Sequence, residues 1–123
     1  GGVKKLSLLW FILLFVFASV VFAQEETVVQ MRGNIIDNLC AGTQSAESLS
    51  KFVATHAKEC ALAPQCAASG YAIFDGSRIF KFDQRSNAIV ETFLKNDKSK
   101  LAVVVSVKKE KDNTLSLVSI SNQ

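Results

Sequence analysis

The 123-residue chain has a single proline, Pro64, and only one each of histidine, methionine, tyrosine and tryptophan. It contains no proline-rich linker, internal repeat or low-complexity tract, so nothing marks a boundary between two folded units. Its six glycines are scattered and form no phosphate-cradling loop, which removes the nucleotide-binding classes built on one. Its three cysteines include no C-x-x-C pair, so neither dithiol exchange nor haem attachment has its usual signature. Charge of one sign is also scarce. The formal net charge is +3, and setting aside Lys4 and Lys5 leaves 12 basic against 11 acidic side chains. Such a balance excludes a basic nucleic-acid arm and provides no general attraction to an anionic membrane.

What is present begins with an export pattern. Lys4 and Lys5 precede an apolar stretch from Leu6 to Ala23, and Val21-Phe22-Ala23 offers a peptidase a small residue directly before Gln24. The stretch reaches the roughly 18 residues at which a retained spanning helix becomes the competing reading. The Ala23-Gln24 junction and the polar Gln24-Glu25-Glu26 favour cleavage. The expectation is therefore a cleaved signal over 1–23 and one domain over 24–123, in a periplasmic or extracellular compartment where disulfides persist. No cysteine directly follows Ala23, where Gln24 stands instead, so a lipid anchor there is not indicated.

Within the expected domain, Thr27 to Asp37 is rich in β-branched residues and reads as a strand, with Gly33 marking a bulge or tight bend. From Ser45 the period changes. Leu49, Phe52, Val53, His56, Ala57 and Cys60 recur as one face of a helix, with Ser45 available as its cap. Asp75-Gly76-Ser77 between apolar runs predicts a hairpin of Tyr71 to Phe74 with Ile79 to Asp83. A short helix capped by Asn87 should bury Ile89, Val90, Phe93 and Leu94. Leu101 to Lys108 and Thr114 to Ile120 make a final hairpin. This order predicts a mainly β protein: an OB-like five-stranded barrel with a Cys/His helical insertion between strands 1 and 2, and a short helix between strands 3 and 4. An open α+β sheet with both helices on one face is the alternative.

The chemistry concentrates in the insertion. Cys40, Cys60, Cys66 and His56 all fall within 27 residues. On one helix, His56 and Cys60 would project the same way, while Pro64 would turn Cys66 back and Cys40 would sit at the end of strand 1. Together they make a candidate tetrahedral metal site of three thiolates and an imidazole, suited to zinc or copper. A disulfide using any two of the three cysteines, with the third thiol left over, accounts for the same residues without a metal. Asp37 could orient His56 or simply close the first strand. A Cys-His catalytic pair is the weakest reading, because both side chains would lie on an apolar face away from substrate. Lys108, Lys109 and Lys111 would rim a barrel face with whichever of Tyr71, Phe74, Phe80 and Phe82 point outward, a composition that can bind sugars or single strands. Export argues against nucleic acid.

The run Gly33-x-Ile35-x-Asp37-x-x-Cys40, His56-x-x-x-Cys60-Ala61-Leu62-Ala63-Pro64-x-Cys66 and Ser69-Gly70-Tyr71, followed by Phe80-Lys81-Phe82-Asp83, resembles a family of small exported bacterial proteins with OB-like strands and no assigned activity. The resemblance implies an exported location and a shared site at Cys40, His56, Cys60 and Cys66. The expected function is non-enzymatic binding, of a metal at that cluster or, alternatively, of an envelope protein or glycan by a disulfide-stabilised module without a metal.

Overall fold

A computed structural model describes residues 27–123, and the expected signal segment lies outside the described residues. The order is β1 (Val29–Asp37), α1 (Asn38–Ala41), α2 (Leu49–Thr55), α3 (Lys58–Ala61), α4 (Pro64–Ala68), β2 (Tyr71–Phe74), β3 (Ile79–Lys81), α5 (Gln84–Leu94), β4 (Ala102–Lys109) and β5 (Leu115–Asn122). The strands form one antiparallel sheet in the order β3-β2-β1-β4-β5. Its outer strands come together at one parallel bridge, Phe82 with Leu115, where Asp83 N also donates to Leu115 O at 2.9 Å. The protein is thus mainly β with helices, and its sheet curls until its edges touch without zipping into a continuous ladder. Among the described residues no helix is long and apolar enough to cross a membrane.

β1 passes through the centre of the sheet and is covered on both sides. Ile35 belongs to the main core with Tyr71, Ile73, Val90, Leu94, Val103, Val105, Val107, Leu115 and Leu117. Ile36 faces the other way, into a smaller cluster with Leu49, Ala72 and Phe74, against which Phe52 and Val53 of α2 pack. Double coverage explains why Ile35-Ile36 and Tyr71-Ala72-Ile73-Phe74 are continuous apolar runs, whereas the alternating β4 has one buried side.

Gly33 is a place of close approach. The β1–β4 register runs through it without a bulge, but a Cβ there would lie 2.3 Å from Phe74 O and 2.9 Å from Ile73 Cγ1. The ladder irregularity instead falls between β4 and β5, at Ser106/Val107. The β2–β3 turn forms as its sequence requires: Asp75 Oδ1 accepts from Ser77 N and Arg78 N at 2.9 and 2.7 Å, and Gly76 adopts φ 104°.

Two helix expectations are corrected. α5 begins earlier than Asn87, because Asp83 is its cap and accepts from Ser86 N at 2.8 Å. Asn87 is used elsewhere, its Oδ1 accepting from Tyr71 N at 2.8 Å and tying α5 to the start of β2. The predicted long Cys/His helix is divided. α2 stops at Thr55, and His56 and Ala57 are extended, with ψ of 126° and 151°, before α3 begins. Lys58 Nζ fixes the new direction by donating to Asn96 O and Ser99 O, each at 2.8 Å, so α3 is held on the loop after α5 rather than continuing α2.

Candidate metal centre

Asp37 is the last residue of β1 and its side chain is fully buried. It is extended, with φ −77° and ψ 147°, and its Oδ2 accepts from Cys40 N at 2.9 Å, which caps α1 and starts the turn that carries Cys40. The second cysteine arrives from α4. Asn38 Nδ2 donates to Ser69 O at 2.9 Å, Leu39 N donates to Ser69 Oγ at 3.0 Å, and Ser69 Oγ donates to Cys66 O at 2.6 Å. Asn38 N adds a bond to Gly70 O at 2.9 Å. This lacing holds α1 against the end of α4 and brings Cys66 beside Cys40. It passes through Gly70, at φ 82°, where a Cβ would meet Asn87 Nδ2 at 2.7 Å.

The result is a three-residue group. A carboxylate oxygen of Asp37 and the sulfurs of Cys40 and Cys66 all lie within 4.8 Å of one another, the only such cluster of potential metal ligands among the described residues. His56 approaches the same carboxylate because the chain is extended where the sequence predicts helix. Its Nε2 is 3.2 Å from Asp37 Oδ1, its side chain is 3% exposed, and its ring lies 4.9 Å from that of Phe52. The two atoms are near but not aligned for hydrogen bonding. Asp37 Oδ1 and both ring nitrogens of His56 are buried with no hydrogen-bond partner among the described residues. Asp37 Oδ1 and His56 Nε2 face each other as an ion-pair contact, so His56 Nδ1 is the ring nitrogen left buried without a partner among the described residues, at a cost of about 1–3 kcal/mol.

Burial pushes the Cys40 thiol up to about 12, helped by its hydrogen bond to Asp37 and by the Asp37 charge. Burial and the same carboxylate also push the Cys66 thiol up. In the metal-free protein both sulfurs therefore keep their protons, and neither is an activated nucleophile. A bound cation reverses the balance, because the charge that discourages thiolates beside Asp37 is then neutralised.

Of the residues expected from sequence, Cys40 and Cys66 are brought together and His56 reaches their carboxylate. Cys60 is not in the group: it lies exposed on α3, close enough to Cys66 for its charge to help raise that thiol. The extended His56-Ala57 step is what separates His56 from Cys60. Asp37 closes β1 and lies 3.2 Å from His56 Nε2 without accepting a hydrogen bond from it, and it adds a donor atom that the cysteine count did not suggest. Its sequence signal is the Asp-x-x-Cys spacing, an N-cap pattern as well as a ligand pair. All three cysteines are reduced thiols in this structure. Of the four aromatics considered for a binding face, Tyr71, Phe74 and Phe82 are buried and Phe80 is half-buried, with Lys109 Nζ 5.5 Å above its ring. No family model, curated protein or solved structure matches this chain.

Proposed function

We propose that this protein is an exported, non-enzymatic binding module that holds one transition-metal ion on Asp37, Cys40 and Cys66, with His56 as the fourth donor. The observation carrying the proposal is the convergence of a buried carboxylate and two thiols within 4.8 Å, beside a buried imidazole whose Nε2 lies 3.2 Å from that carboxylate. Two sulfurs, one oxygen and one nitrogen make a borderline set that suits zinc; copper as Cu(I) would favour the sulfurs and leave the carboxylate aside. Raised thiols speak against nucleophilic catalysis, and a metal that binds them must displace their protons into solvent. The helical insertion would then sit on an OB-like barrel, a reading supported by the strand order and by the Phe82–Leu115 bridge between the outer strands. Export rests on the leading segment and on the resemblance of the Cys/His pattern to small exported proteins.

The nearness of Cys40 to Cys66 also favours one alternative, a disulfide between them in an interaction module without a metal. Native mass spectrometry of protein prepared without chelator or reductant separates the two. One zinc or copper per chain is expected, lost in Cys40→Ser and Cys66→Ser and retained in Cys60→Ser. A metal-free chain lighter by two hydrogens, or tight metal retained in Cys40→Ser, overturns the proposal.

A further inference from the structure

A second feature lies outside the metal centre. Where α1, β3 and the β4–β5 turn approach one another, the surface folds into a cleft of about 680 Å³, within the size range of small-molecule sites. Its apolar wall comes from Ala41, Ile79 and the half-buried Phe80. Three cations line it as well: Arg78 from the turn before β3, Lys81 from the end of β3, and Lys109 from the end of β4.

The one carboxylate in the lining, Asp112, is already engaged. Its Oδ1 accepts from Thr114 N and Thr114 Oγ1 at 3.0 and 2.6 Å, and those bonds hold its carboxyl below the usual range, so it stays ionised within its own turn. The wall thus carries three positive charges against one negative. Lysine on an outer strand is a common guard against sheet-edge pairing, and that accounts for Lys81. It does not account for Lys109, which belongs to another strand and reaches across to lie 5.5 Å above the Phe80 ring. Nor does it account for a concave surface that joins an apolar floor to cations from two strands.

We infer that this cleft is a binding site for a small organic dianion carrying a ring, such as a phosphate monoester. Two negative charges match the excess on the wall, and a ring covers Ala41 and Ile79, which face the same side of the sheet. Inorganic phosphate satisfies only the charge, and a neutral ring satisfies only the floor. Neither sulfur of the metal group lines the cleft, although Asn38 and Ala41 of α1, which carries Cys40, do.

The test is a titration of the isotope-labelled protein followed by NMR, using phenyl phosphate, glucose 6-phosphate, inorganic phosphate and benzyl alcohol. At least one of the two ring-bearing phosphates should bind about tenfold more tightly than either single-feature probe, shifting the amides of Ile79, Phe80 and Lys109; whichever binds better identifies an aromatic or a sugar ring. Lys81→Gln and Lys109→Gln should each weaken that binding by about threefold to fivefold, with the rest of the spectrum unchanged, and Cys66→Ser should leave it intact. Ring-bearing phosphates that bind no better than inorganic phosphate, or binding that survives the combined Lys81→Gln and Lys109→Gln change, would refute the inference.

Discussion

The affinity of the proposed centre for zinc should depend on pH more steeply, and over a wider range, than that of an ordinary cysteine site. A metal ligates thiolate, so each protonated cysteine must release one proton, and affinity rises tenfold per pH unit for each thiol still below its pKa. With Cys40 raised to about 12, its contribution stays fully proton-limited from pH 6 to pH 9. Cys66 is pushed in the same direction, which raises the combined slope above that of Cys40 alone. Between pH 7 and pH 9 Cys40 alone contributes a gain of about 100-fold, whereas an unperturbed thiol near pH 8.5 would give only about 25-fold and would flatten above pH 8.5. The assay is competition against a chromophoric chelator of known proton dependence at pH 6, 7, 8 and 9, with released protons counted in weak buffer. A slope below one, or a plateau reached by pH 8, would show that the thiols are not held protonated beside Asp37 and would refute the electrostatic argument.

The same raised thiol predicts a stability effect in the metal-free protein. A folded-state pKa above that of the unfolded chain means the folded form holds more protons between the two values, so stability should fall as pH climbs from about 9 toward 12, and Cys40→Ser should soften that fall in urea titrations at each pH. Tyr71 is fully buried, its hydroxyl pushed up to about 12 by burial and donating to Ala61 O at 2.8 Å; Tyr71→Phe leaves that carbonyl unpaired and should lower unfolding free energy by about 1–3 kcal/mol. Gly33→Ala places a methyl against the backbone of Phe74, which cannot rotate away, and a loss of about 1–3 kcal/mol or more is expected by thermal melt. An unchanged melting temperature would mean that β1 and β2 are not so closely apposed.

Much of the fold was legible because the elements carry local signals. Asp75-Gly76 specified its turn through side-chain acceptance and positive φ, and the alternating Leu101 to Lys108 segment became β4 within a residue. The helix capped by Asn87 illustrates the limit. Asp83 and Asn87 are both good caps four residues apart, and the choice between them came from Tyr71 N, a long-range partner that needs Asn87 Oδ1. The Cys/His helix failed for a similar reason. Its 3.6-residue period continues through Cys60, but burying His56 beside Asp37 and anchoring Lys58 on the loop after α5 outweighed two residues of helix propensity.

Residue types and local spacing by themselves determined that the protein is mainly β and that one insertion between β1 and β2 holds every cysteine and the histidine. Those outcomes depend on side-chain period, turn chemistry and composition, all of which act over a few residues. Only the tertiary structure decided which donors meet. Cys66 joins Cys40 through hydrogen bonds some thirty residues apart in sequence, and His56 turns inward while Cys60 stays in solvent. Such choices turn on whole-molecule burial and on where each backbone and side-chain polar group finds its partner, and no local window of sequence contains that information.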